Sequence, residues 1–163
     1  MRFSISRIGL ILGLLFATIG CDQATKILAR DVLRATGTLV YAGGVVRLEH
    51  AQNPGVFLSL GANMNESLRF WLFTFFTGIF LAVMAWVLIT RPKLKPGTTV
   101  GITLILGGGL GNLIDRMLFG SVTDFLILGI DPLRTGIFNV ADMAIVAGTI
   151  LLLWASRQER ATA

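Results

Sequence analysis

Four stretches of this chain are apolar for long enough to cross a bilayer, and the polar residues that interrupt them gather toward one end of each. Phe70 to Ile89 is broken only by Thr74, Thr77 and Gly78. Val100 to Leu118 is glycine-rich and carries Asn112, Asp115 and Arg116 toward its far end, whereas Ile137 to Ala155 carries Asn139 and Asp142 close to its beginning. Ile8 to Cys21 is shorter, but a helix continued through Asp22 toward Ala29 reaches the roughly 20 residues a span requires. The pattern predicts membrane helices over about residues 8–28, 70–89, 100–118 and 137–155 of one integral-membrane domain, 1–163.

Between the first two spans the pattern changes. "TLVYAGGVVRLEH" has β-branched runs around Gly43-Gly44 and predicts a hairpin, and "NPGVFLSL" after it has turn residues followed by another short apolar strand. A β-rich insertion over about 36–62, lying on the outer membrane face, is the expected form. "NMNESLRF" leads into the second span with Asn65 as its expected N-cap.

Composition supports the membrane class. Hydrophobic residues make up 54% of the chain and charged residues only 14%, against about 25% charged in a soluble domain. The net charge of +5 does not point to nucleic acid once its distribution is considered. Arg2, Arg7, Arg91, Lys93, Lys95, Arg157 and Arg160, half of the 14 basic residues, sit in the two tails and in the connection "RPKLKPG" with Glu159 as the only acid. The positive-inside rule therefore puts both termini and the Arg91–Gly97 loop in the cytoplasm, consistent with four spans. One cysteine and one histidine exclude an internal disulfide framework and argue against a zinc site. Neither a metal nor another cofactor is expected, and His50 reads as structural.

"FATIGCDQAT" has the outline of a lipoprotein cleavage signal, with basic residues, an apolar run and a small residue before Cys21. Thr18 stands where such signals carry Leu, Val or Ile, and cleavage would leave a lipidated product with three further spans. Cys21 is expected to be a small apolar residue inside the first helix.

Asp22, Lys26, Asn112, Asp115, Arg116, Asp124, Asn139 and Asp142 all map to the outer ends of spans one, three and four. Ionisable groups at membrane depth are costly and face a bundle interior or a water-filled cavity, so their convergence points to a functional site. Singly, each also has a structural reading: Asp22 and Lys26 are spaced to pair along one helix, and Asn112 is suited to link helices. The glycines of "GGGLGN" are not followed by Lys-Ser/Thr, so they do not make a phosphate loop; Gly107 and Gly111 form a small-residue face for close helix approach. No G-x-S-x-G elbow is present. From the residues alone a proton-coupled transporter and a structural membrane subunit both remain open.

Five blocks then carry a family resemblance: "DQATK" at Asp22–Lys26, "NPGVFLSL" at Asn53–Leu60, "GGGLGNLIDR" at Gly107–Arg116, "VTDF" at Val122–Phe125 and "FNVAD" at Phe138–Asp142. In order, spacing and membrane placement the chain resembles the lipoprotein signal peptidases, bacterial signal peptidase II, aspartyl proteases of the membrane. The resemblance implies four membrane helices with a small extracytoplasmic β-cradle and a surface helix, in the bacterial cytoplasmic (inner) membrane. It implies Asp124 and Asp142 as the catalytic pair, supported by Asp22, Lys26, Asn53, Gly55, Asn112, Asp115, Arg116 and Asn139. The implied partners are membrane lipid and prolipoproteins carrying a lipobox, cut before a diacylglyceryl-modified cysteine; because one chain holds every residue the mechanism requires, a monomer is expected.

The chemistry fits two carboxylates. Like charges held close do not both ionise, so one aspartate keeps a proton while the other is anionic. The anion draws a proton from water and the acid polarises the scissile carbonyl. Such a pair titrates as a unit, which leaves open which aspartate is which; the helix start beside Asp142 favours its charge.

Overall fold

The computed structural model describes residues 5–55, 61 and 63–161. The strand expected in "NPGVFLSL" falls mainly on 56–60, outside the described residues. Four helices are long and apolar enough to cross a membrane: α1 Ile5–Thr36, α2 Glu66–Thr90, α3 Pro96–Phe119 and α4 Val140–Ala161.

Each helix begins and ends for a local reason. α1 stops at Gly37, whose φ of 75° leaves the helical region. α2 is capped by Asn65, whose side-chain oxygen accepts from the Leu68 N–H at 2.8 Å. α3 starts with Pro96 in its first turn and closes at Gly120, a left-handed residue whose N–H donates to the Arg116 carbonyl at 3.0 Å. α4 opens on a reciprocal cap: the Asn139 side chain accepts from the Asp142 N–H at 2.9 Å, and the Asp142 carboxylate accepts from the Asn139 N–H at 3.2 Å. Two π-type turns interrupt the regular ladder, Ala29–Leu33 in α1 and Phe70–Phe75 in α2.

α3 is the buried helix, and its glycines let the others close on it. Side chains added at Gly107 or Gly111 would run into Thr18 and Asp22 of α1, as the small-residue face predicts. Gly101 and Gly108 lie against Leu152 and Ile145 of α4, and Gly109 lies against Leu81 of α2. The outward faces of the remaining helices carry large apolar groups such as Phe16 (83% exposed), Trp86 (60%) and Trp154 (56%). Apolar surface on that scale is suited to lipid rather than water. The apolar core beneath them, Leu81, Leu88, Ile102 and Leu106, joins α2 to α3.

At the end of the bundle away from the Arg91–Lys95 connection, a four-stranded antiparallel sheet runs β1 Leu39–Tyr41, β2 Val46–Asn53, β3 Val122–Ile130 and β4 Leu133–Arg134 in that order. β1 and β2 form the hairpin expected around Gly43-Gly44, pairing Leu39 with Leu48 and Tyr41 with Val46. Half of the sheet comes from residues 122–134, outside the β-rich insertion expected over about 36–62. The run "VTDFLILGI" follows directly on a span, where an apolar stretch does not distinguish strand from helix. It is fixed as a strand by pairing with β2, Ala51 opposite Asp124 and Asn53 opposite Val122. Leu48, Phe125 and Leu126 then seal the sheet onto Ala29 and Leu33 of α1.

Candidate active site

The bundle first assembles a buried charge network beneath the sheet. Asp22 and Lys26, one turn apart on α1, are both fully buried and pair at 2.8 Å. The other Asp22 oxygen accepts from the Ala141 N–H at 2.9 Å, which ties α1 to the first turn of α4. Lys26 also donates to the Asn112 amide oxygen at 2.9 Å and lies 3.7 Å from Asp115. Asp115, fully buried on α3, accepts from the Thr123 N–H at 2.9 Å. Buried charges persist only when paired and hydrogen-bonded, and each of these is.

On this base stand two carboxylates held by three asparagines. Asp124, at the second residue beyond the start of β3, is buried, with one oxygen accepting from Asn53 Nδ2 at 2.9 Å and the other from Asn139 Nδ2 at 2.6 Å. Asp142 is half-buried in the first turn of α4 and accepts from Asn112 Nδ2 at 2.9 Å in addition to the capping N–H of Asn139. Asn139 thus contacts both carboxylates, and its Nδ2 also lies 3.1 Å from the Asn112 oxygen. Burial raises the pKa of Asp124 from the ordinary 3.8 to about 6, and the nearby Asp142 charge pushes the same way; the Asn53 and Asn139 hydrogen bonds and the Lys26 charge oppose the rise. A carboxyl that keeps its proton up to about pH 6 beside a second carboxylate is suited to acid–base work.

Arg116 links this centre to open space. Its guanidinium donates to the Gly55 carbonyl at 2.9 Å, and the Gly55 N–H donates to the Asn53 side-chain oxygen at 3.0 Å. Arg116 also lines a cavity of about 440 Å³ walled by Phe70, Phe73 and Phe119, with Glu66 and Arg69 on its polar side. Neither aspartate is among the residues lining this cavity; Arg116 through Gly55, and Gln52 through Thr123, connect it to the layer around them.

All ten residues singled out from the sequence therefore meet in one connected layer: Asp22, Lys26, Asn53, Gly55, Asn112, Asp115, Arg116, Asp124, Asn139 and Asp142. The sequence reading did not single out Gln23, whose amide donates to Asp22, the Gly111 carbonyl and Asp115 at 3.1, 3.1 and 3.4 Å. Arg30, Gln52 and Thr123 also join the layer unannounced. Gln23 and Thr123 lie inside the blocks "DQATK" and "VTDF" without being named there, whereas Arg30 and Gln52 lie outside every block; the burial and partners that mark all four come from tertiary packing. His50 lies 3.2 Å from the Gln52 amide. Among the described residues no group of three or more His, Cys, Asp or Glu is placed to hold a metal ion.

Comparison with known proteins converges on one family. The profile described as signal peptidase (SPase) II matches residues 14–157. The chain is 38% identical over 148 residues to a protein of Moorella thermoacetica called lipoprotein signal peptidase, covering 89% of each chain. It is 38% identical to a protein of that name from Sphingopyxis alaskensis, over 86% of this chain and 82% of the relative. A third, from Syntrophomonas wolfei, is 40% identical over 81% of this chain and 82% of its own. Among solved structures, one described as a bacterial membrane enzyme superposes with a TM-score of 0.81 at 24% identity, over 99% of this chain and 93% of that one. A second so described gives 0.76 at 25% identity over 94% of both.

Proposed function

The chain belongs to the signal peptidase II family, and from that premise we propose that it removes the signal segment of prolipoproteins by aspartic catalysis, with Asp124 and Asp142 as the reacting pair. The transporter and structural-subunit readings are not favoured, because the family is one of peptidases. The observation that carries the catalytic assignment is Asn139. It holds Asp124 through its side chain and Asp142 through a reciprocal cap, so a single residue sets the two carboxyls against each other.

The environments divide the roles. Asp124, buried and with its pKa at about 6, is the member that keeps the proton. Asp142 receives a backbone N–H and the Asn112 amide at a helix start, where the dipole favours negative charge, and is the anion. Water between them gives a proton to Asp142 as its oxygen attacks the scissile carbonyl, while the Asp124 O–H donates to the carbonyl oxygen. When the tetrahedral species collapses, the C–N bond breaks, the proton held by Asp142 passes to the leaving nitrogen, and Asp124 regains its own from the resulting carboxyl group. The pair titrates as a unit, so these are roles within one dyad. Lys26, Asp22 and Asp115 serve as the charge base under Asn112 and Thr123.

The substrate assigned on this reading is a lipobox segment whose cysteine carries diacylglycerol, with acyl chains and signal helix both lying in lipid. The dyad lies at the end of α3 opposite the Arg91–Lys95 connection. With that connection and both termini cytoplasmic, the centre faces the outer side of a bacterial cytoplasmic membrane. One chain supplies every residue the reaction needs, so a monomer suffices. The test is turnover of a diacylglyceryl-modified precursor by purified Asp124→Asn and Asp142→Asn: loss in both is expected, and near-normal cleavage by either overturns the dyad.

A further inference from the structure

Arg30 lies outside every motif in the sequence, yet it touches the strand that carries Asp124. It stands one turn beyond Lys26, within the π-type turn Ala29–Leu33 of α1. Such turns insert a residue into the helical circuit and concentrate at functional sites. The second π-type turn, Phe70–Phe75, supplies Phe70, Phe73 and Thr74 to the cavity wall.

The Arg30 guanidinium makes contacts on two sides. Nη1 donates to Thr123 Oγ1 at 2.9 Å, and the group lies 4.7 Å from the centre of the Phe119 ring. Its side chain is only 14% exposed. The Thr123 side is unusually well tied. Its N–H donates to Asp115, its carbonyl accepts from Asn139 Nδ2 at 3.4 Å, and its hydroxyl oxygen accepts from Arg30 and, at 3.3 Å, from the Gln52 amide. Thr123 is fully buried and immediately precedes Asp124.

Charge balance alone does not account for Arg30. Its distance to Asp115, 3.7 Å, equals that of Lys26, and Asp115 is already met by Gln23 and the Thr123 N–H. What Arg30 adds is a charged donor to the hydroxyl beside Asp124 and a flat cationic group against Phe119, a cavity wall.

We infer that Arg30 is a positioning residue: through Thr123 it fixes the strand that presents Asp124 to Asn139, and through Phe119 it sets the adjoining wall of the cavity. The inference rests on Asp124 being one of the reacting carboxyls. Misplacing a reacting group by about 1 Å costs on the order of 100-fold in rate. A loosened strand end samples such displacements, so the loss belongs in kcat more than in KM.

The experiment compares Arg30→Met, Arg30→Lys, Thr123→Val and the Arg30→Met/Thr123→Val pair in full-length protein, with Asp124→Asn alongside. Cleavage of a diacylglyceryl-modified precursor and hydrogen exchange of the β3 amides are the readouts. Arg30→Met should lower kcat about 10- to 100-fold with KM changed less than about threefold, and should speed exchange in β3. Thr123→Val should behave alike, and the double variant should be about as slow as the slower single, because both act through one contact. Arg30→Lys keeps a charged donor and should fall between wild type and Arg30→Met. Wild-type kcat and exchange in Arg30→Met, with Asp124→Asn inactive, overturn the role of Arg30 alone. Multiplying losses in the double variant also overturn it. Normal turnover by Asp124→Asn removes the dyad itself, whatever Arg30→Met does.

Discussion

Replacing Asp124 by Asn should change how stability depends on pH as well as abolishing activity. Burial, aided by the Asp142 charge, lifts the Asp124 pKa from 3.8 to about 6, so the native state binds this proton more tightly than the unfolded chain does. The stability that follows is fully present below about pH 4 and is lost as pH rises through about 6. Two powers of ten in proton affinity, at about 1.4 kcal/mol each, come to about 3 kcal/mol. Asparagine removes that dependence. It also introduces a constant penalty, because both Asp124 oxygens accept from amide donors and the new NH2 group must face one of them; that mismatch costs about 1–3 kcal/mol at every pH. The variant should therefore be the less stable protein at pH 4 and gain about 3 kcal/mol on wild type by pH 8. Thermal unfolding of both proteins in one detergent across that range is the assay. Curves that stay parallel from pH 4 to 8 would refute the claim that burial in the fold raises the Asp124 pKa.

Three further outcomes are expected. Reporter fusions after Lys95 and after Gly44 should report opposite sides of the membrane, since the positive-inside rule puts the first in the cytoplasm; the same side for both contradicts the orientation. Cys21 is exposed on an unbroken stretch of α1 next to buried Asp22, so Cys21→Ala should keep near-normal turnover, and the intact mass of the purified protein should show no acyl chain on Cys21. Gly148→Ala should lower stability by about 1–3 kcal/mol, because the added carbon would lie 2.6 Å from the Gly101 carbonyl and 2.9 Å from Ile105; an unchanged thermal midpoint would show that α3 and α4 separate freely.

What the sequence disclosed follows from how local each signal is. The spans, the Asn65 cap, the Gly43-Gly44 hairpin and the glycine face of α3 rest on runs of a few residues, and all appear in the structure. β3 was hidden because its pairing partner Asn53 lies 69 residues before Val122 (122 − 53), and an apolar run alone does not choose between strand and helix. The charged members of the site were visible because charge at membrane depth demands explanation. Gln23 and Thr123 carry no charge, and Arg30 sits where an Arg near a membrane surface is ordinary; only packing brings all three onto Asp115. Asn139 was visible as a polar residue at the start of a span, but its double contact with Asp124 and Asp142 emerged from the way α4 begins beside β3.

The most direct test of the central claim is cleavage of a diacylglyceryl-modified prolipoprotein by purified, folded Asp124→Asn, Asp142→Asn, the double variant and Asp131→Asn. Asp131 lies in the turn between β3 and β4, is 71% exposed and pairs only with Arg134 among the described residues. Neither dyad variant should cleave detectably, the double variant should be no worse than the singles, and Asp131→Asn should keep near-normal turnover. Substantial cleavage by Asp124→Asn or Asp142→Asn would contradict that claim.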